Sequence, residues 1–162
     1  MAQAPNSEYI QWLTQEEESF PMKRITLLLL CLCLAMPAFA EKKIIFPPGF
    51  PTGGPYSPGV LVDGTLYVAG QIGADIKTNK RPENFADEVR TTLDRVGIIL
   101  KAAGMDYSDV VNVNVYLNDI SLFPQMNEVY TTYFKTDRPA RATVQATLVG
   151  GARIEISAIA RK

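Results

Sequence analysis

The final quarter of the chain, Arg138–Lys162, runs RPARATVQATLVGGARIEISAIARK. Its alternation predicts two β-strands joined by a Gly-Gly turn at Gly150-Gly151. In the first strand Arg141, Thr143, Gln145 and Thr147 share one face, and Ala142, Val144, Ala146 and Leu148 the other. In the second, Ile154, Ile156, Ala158 and Ala160 form the apolar face, leaving Arg153, Glu155, Ser157 and Ile159 opposite. Arg141 heads the first strand and Glu155 lies inside the second. A guanidinium grips a carboxylate through two parallel hydrogen bonds, and a glutamate beside it orients or deprotonates a water. That pairing is the central expectation. A cross-strand or inter-subunit ion pair is the other reading of the same spacing, and Arg138 and Arg153 read as surface charges.

Working upstream, Ser121–Phe134 predicts a helix with Phe123, Met126, Val129, Tyr130 and Phe134 near one side and Pro124 in its first turn. Asn127 falls inside it, either solvated or bonded across to a pocket. Val110–Asn118 alternates strictly, with Val111, Val113, Val115 and Leu117 on one face and Asn112, Asn114, Tyr116 and Asn118 on the other. From Pro82 to Ala103 the period lengthens, and Phe85, Val89, Leu93, Val96 and Leu100 mark an amphipathic helix ended by Gly104. Glu88, Arg95 and Lys101 lie off that stripe and are expected in solvent. Asp63-Gly64 between two apolar runs is a two-residue hairpin signal. Its second strand ends in Gly70, which reads as a β-bulge or as a place where a ligand meets bare backbone. Before the hairpin, IIFPPGFPTGGPYSPG is too rich in proline and glycine for a helix or central strand. Tyr56 within it is either a packing residue on a lid-like arm or a ring and hydroxyl closing a pocket.

The order is β-β-α-β-α-β-β, which predicts an α+β domain with two helices on one face of a mixed sheet. Two helices cover only one side. The other, expected to carry Asn112, Asn114, Tyr116, Thr143 and Gln145, must meet water or another subunit.

The first quarter reads differently. Lys23 and Arg24 precede an apolar run from Ile25 to Met36, and Ala38-Phe39-Ala40 follows. This is the pattern of a secretory signal peptide over 22–40, too short for the ~20 residues of a spanning helix. Residues 1–21 are polar and acidic, so the reading is a start at Met22 with a mis-annotated upstream segment, or else a disordered leader. Cleavage after Ala40 leaves 41–162 as one domain, periplasmic or secreted, with no membrane attachment. Both cysteines, Cys31 and Cys33, lie in the signal segment, so that domain has no disulfide and no thiol nucleophile. The chain contains no histidine, which excludes Ser-His-Asp and Cys-His catalysis and histidine-ligated zinc. With 17 acidic and 16 basic side chains, no footprint for nucleic acid stands out.

GPYSPG (Gly54–Gly59), VAGQIG (Val68–Gly73), the helix ending in AAG, VYLNDISLFPQMNEVYTTYF (Val115–Phe134), RPARATVQA and RIEISAIA together resemble the Rid/YjgF family of reactive intermediate deaminases, also labelled endoribonuclease L-PSP-like. The resemblance runs from about Ile45 to Arg161. It implies a chorismate-mutase-like α+β fold and a homotrimer with pockets between subunits. The implied activity is hydrolysis of short 2-imino acids to 2-oxo acids and ammonia, with no metal or organic cofactor. It assigns the carboxylate-binding arginine to Arg141, the water-orienting glutamate to Glu155, the pocket tyrosine to Tyr56, the backbone-contact glycine to Gly70 and the pocket asparagine to Asn127. Thr143 stands where a cysteine is often seen and is expected to line the substrate site. Ala69 replaces the usual hydroxyl residue before the glycine and bears on substrate range. Two other functions stay open: a non-catalytic module that binds small carboxylates, and an endoribonuclease, for which the chain lacks a histidine and a basic stripe.

Overall fold

Alternation places β4 (Val110–Leu117) with Val113, Val115 and Leu117 fully buried and Asn112, Asn114 and Tyr116 partly exposed on the opposite face. Val111, expected on the apolar face, is instead 51% exposed, because the pairing register shifts between Val110 and Asn112. The computed structural model describes residues 41–162. The upstream segment and the signal peptide read from 1–21 and 22–40 lie outside the described residues. Asp63 and Gly64 both adopt positive φ (49° and 68°), the turn that joins β2 (Gly59–Val62) to β3 (Thr65–Ile72) as an antiparallel hairpin. Helix α1 (Phe85–Ala102) starts where Asn84 Oδ1 accepts the backbone N–H groups of Ala86 and Asp87. It ends at Gly104, with φ 75°. Helix α2 (Phe123–Tyr133) carries proline in its first turn and buries Met126, Val129 and Tyr130. The two helices pack on each other, and α1 lies on β3 and on β6 (Ile154–Arg161). The result is the predicted α+β arrangement, two helices covering one face of a mixed sheet.

With β1 (Lys43–Ile45) and β5 (Ala140–Gln145) at its edges, the sheet described has six strands in the order β1-β2-β3-β6-β4-β5. The extra one, β1, pairs antiparallel with β2 at the edge, inside the segment read as loop. Ile45 is buried there, and Pro47 and Pro48 end the pairing at once.

The last two strands are not the hairpin expected of them. β5 pairs parallel with β4 at the opposite edge, whereas β6 runs antiparallel between β3 and β4. β4–α2–β5 is a crossover unit, which makes β5 parallel to its predecessor. The more apolar β6 takes the sheet centre, and the Gly150-Gly151 turn carries the chain past the end of β4.

This pairing also corrects the assignment of faces. Val113 is registered with Arg141 and Val115 with Thr143, and cross-strand partners point the same way. Arg141, Thr143 and Gln145 therefore lie on the helix side. Ala140, Ala142 and Val144 join Asn112, Asn114 and Tyr116 on the open side. Polar residues are tolerated on the helix side because β5 is an edge strand, where the helical cover ends.

Three charges expected in solvent are structural. Glu88 is fully buried and accepts from the backbone N–H of Arg153 (2.9 Å) and from its Nε. The same guanidinium donates to the carbonyls of Glu83 and Pro82, so Arg153 clasps the start of α1 to β6 rather than standing free. Arg95 donates to Gln71 Oε1 and to the Ala74 carbonyl. Periodicity placed these residues off the apolar stripe, but each found a fixed polar partner, which removes most of the cost of burial.

Candidate active site

On the helix side of β5, the Arg141 guanidinium lies over two rings of α2. Its Cζ is 4.5 Å from the Tyr130 ring centroid and 5.6 Å from that of Phe123. It makes no ion pair and bonds no carbonyl or carboxylate among the described residues; the Tyr130 hydroxyl is the one polar neighbour whose ionisation it affects. Thr143 follows two residues on along the same side, its Oγ1 buried and without a hydrogen-bond partner among the described residues. The Tyr130 hydroxyl is equally buried and unpartnered. Burial pushes its ionisation above the ordinary tyrosine range, against the opposing pull of Arg141. Asn127 is partly buried, four residues after Phe123 and three before Tyr130, which puts it on the same side of α2. Tyr130 and Phe123 were read only as core residues of a helix. Their spacing of seven, together with the arginine that follows, was the available signal for a cradle.

On the open side, Glu155 extends from β6, registered with Tyr116 on one neighbour and Ile72 on the other. Its carboxylate lies directly over Gly70, where the β3–β6 register shifts between Val68 and Gln71. A Cβ at position 70 would fall on Glu155 Oε1. Gly70 thus lies in the bulge, one of the two readings its sequence left open, and its missing side chain makes room for the Glu155 carboxylate. Tyr56 is 63% exposed in the proline- and glycine-rich loop, its ring against Gly54.

One chain does not bring Arg141 and Glu155 together. Along β4 their partners are Val113 and Tyr116, an odd offset, which places the two side chains on opposite faces of the sheet. Their backbones are also separated by roughly 10 Å along the strands and roughly 10 Å across them. The expected neighbouring pair is therefore two half-sites: Arg141, Thr143 and Asn127 on the helix side, Glu155 and Gly70 on the open side.

Fold and half-sites define a YjgF-type α+β domain. The sequence profile described as Endoribonuclease L-PSP matches residues 50–162. The 2-iminobutanoate/2-iminopropanoate deaminase of Rattus norvegicus is 50% identical over 109 residues, spanning 66% of this chain and 80% of that protein. The protein of the same name from Homo sapiens is 49% identical over the same shares. Among solved structures, RidA from an Antarctic Psychrobacter superposes with a TM-score of 0.71 at 35% identity, covering 74% of this chain and 99% of that one. TdcF of E. coli with bound serine gives 0.70 at 33% identity, over 74% and 98%. The chain belongs to the Rid/YjgF (endoribonuclease L-PSP) family.

Proposed function

We infer that this protein hydrolyses reactive short-chain 2-imino acids to 2-oxo acids and ammonia, the activity named for relatives at about half identity. The observation that carries the reading is the Arg141 guanidinium, with no carboxylate or carbonyl partner among the described residues, beside the buried, unpartnered Thr143 hydroxyl. A guanidinium with no anion of its own is suited to a substrate carboxylate. Bound serine in TdcF shows that a related chain takes a small molecule bearing that group.

Arg141 holds the carboxylate and so fixes the imine carbon. Glu155 orients a water, whose oxygen bonds to that carbon as the C=N π pair moves to nitrogen. One proton of that water passes to the nitrogen, giving a carbinolamine. Its hydroxyl then gives the second proton to the nitrogen as the O–H pair forms the C=O bond and the C–N bond breaks, so that ammonia leaves a 2-oxo acid. An iminium carbon is already electrophilic, so positioning supplies most of the catalysis. Backbone groups near Gly70 and Thr143 hold the imino nitrogen, Asn127 and Thr143 line the pocket, and Tyr56 closes it. No metal or organic cofactor enters this scheme.

Because the two half-sites face opposite ways, a complete pocket needs the β5 edge of one chain against the open sheet face of another. That face carries the exposed apolar side chains Tyr67 and Val144, a composition suited to subunit contact. A homotrimer with three inter-subunit pockets fits this requirement. The N-terminal pattern further supports export through a signal peptide over 22–40, with Met22 as the start and a periplasmic or secreted mature domain. N-terminal sequencing of precursor and mature protein tests both points.

The activity is tested by forming 2-iminobutanoate or 2-iminopropanoate in situ with an amino-acid oxidase and following its hydrolysis. Acceleration by the wild type that is absent in Arg141→Ala is expected. Binding of 2-oxobutanoate without any acceleration would overturn the catalytic reading in favour of a carboxylate-binding module.

A further inference from the structure

Arg141 is held by rings where the other arginines are held by hydrogen bonds. Among the described residues, every other arginine side chain donates at least one: Arg81 to Gly150, Arg90 to Asp87, Arg95 to Gln71, Arg138 to Phe134, Arg153 to Glu88 and Arg161 to Thr65. Arg141 has no such carbonyl, carboxylate, amide or threonine acceptor and instead lies over Tyr130 and Phe123. The Tyr130 ring is itself fixed. It is 3% exposed and packs on Phe134 at a centroid distance of 4.5 Å, and Phe134 meets Tyr107 edge-on at 5.6 Å. A ring face attracts a cation without occupying its N–H groups. A carboxylate in the same place would hold the guanidinium equally well but would fill the fork and cancel the charge.

We propose that Tyr130, with Phe123 beside it, is a positioning residue for Arg141: its ring face fixes the guanidinium plane and leaves the fork free for the substrate carboxylate. This rests on the reading of Arg141 as the carboxylate anchor. The cradle acts on a contact made alike in substrate and transition state, so its loss raises KM more than it lowers kcat.

The test measures 2-oxobutanoate affinity by calorimetry and the kinetics of imine hydrolysis in the full protein. Tyr130→Leu is expected to weaken binding and raise KM by about tenfold, with kcat changed by less than about threefold. Tyr130→Phe, which keeps the face and loses only the hydroxyl, is expected to cost no more than about threefold in affinity. Val129→Ala, a buried change on the same helix, is expected to lower the melting temperature and leave affinity intact. Phe123→Leu, at a less buried position, gives the same direction of effect as Tyr130→Leu should that variant fail to fold. Wild-type affinity in whichever of these two ring variants folds overturns the proposal. So does a loss in Tyr130→Phe as large as in the leucine variant, or an equal loss in Val129→Ala. Wild-type affinity in Arg141→Ala would instead overturn the anchor reading itself. Loss of affinity in Arg141→Ala with none in the ring variants would overturn the positioning role alone.

Discussion

Gly70 and Glu155 occupy one another's space across the β3–β6 pair: the carboxylate lies where a side chain at position 70 would begin. Gly70→Ala must therefore displace the Glu155 carboxylate. A shift of this kind at a water-orienting group is expected to reduce kcat by about 100-fold, while 2-oxobutanoate still binds through Arg141. Parallel kinetics and calorimetry on the variant check this. An unchanged kcat would mean that the present carboxylate position is not the working one.

Arg141→Lys keeps a cation but not the planar fork. It is expected to lose most of kcat/KM, about 100-fold, and Arg141→Ala to lose effectively all of it. Initial rates with in situ imine measure both, and a lysine variant as active as the wild type would argue against bidentate capture.

If each pocket takes Arg141 from one chain and Glu155 from its neighbour, two inactive variants rescue each other. Arg141→Ala and Glu155→Gln, unfolded together and refolded as a mixed assembly, then leave about a quarter of the clefts with both residues intact. Activity near that fraction of wild type is expected. Mixtures no more active than the separate variants would place both residues in a single chain's site.

The Glu88–Arg153 clasp predicts a stability effect apart from catalysis. Arg153→Ala leaves a fully buried carboxylate with the backbone N–H of residue 153 but no countercharge, and removes the guanidinium's bonds to the Glu83 and Pro82 carbonyls. The expected cost is about 3 kcal/mol, seen as a lower melting temperature. The double change Glu88→Leu with Arg153→Met removes both charges and should recover much of that loss, because no uncompensated charge remains.

Acid sensitivity is expected from two capping aspartates. Hydrogen bonds from Ser108, side chain first and backbone next, hold the Asp106 carboxyl below the usual carboxylate range. Ser121 does the same for Asp119. In both cases the folded form binds its proton less readily than the unfolded chain, so stability rises with pH between the two values. The contribution is complete above about pH 4, near the ordinary aspartate value, and is lost as pH falls through the lowered ones. Melting temperatures between pH 6 and pH 3 should fall more steeply for the wild type than for the Asp106→Asn, Asp119→Asn double variant.

Much of this was written in local sequence. Asp63-Gly64, the apolar stripe of α1 and the alternation of β4 from Asn112 onward each depend on neighbours within a few residues, and each formed as read; Val111, read on the apolar face, was turned out by a bulge at the start of β4. What failed depended on distant partners. Glu88 and Arg95 looked solvated because periodicity does not reveal a polar partner many residues away. Thr143 looked like an open-face residue because alternation defines two faces without saying which one meets the helices. Tyr130 looked like core because nothing local shows a guanidinium arriving from the next strand.

Sequence alone determined the chemical inventory: an arginine and a glutamate on two strands, no histidine, and a glycine where a carboxylate needs room. It also fixed the helices and the hairpin, since those follow from short-range periodicity and turn stereochemistry. Only the tertiary structure decided that β6 lies between β3 and β4 and that β5 closes the far edge. Side chains alternate along a strand, so the register of each pairing sets which face every residue takes. That register turned Arg141 and Glu155 to opposite sides of one sheet, and it arises from contacts that no local stretch contains.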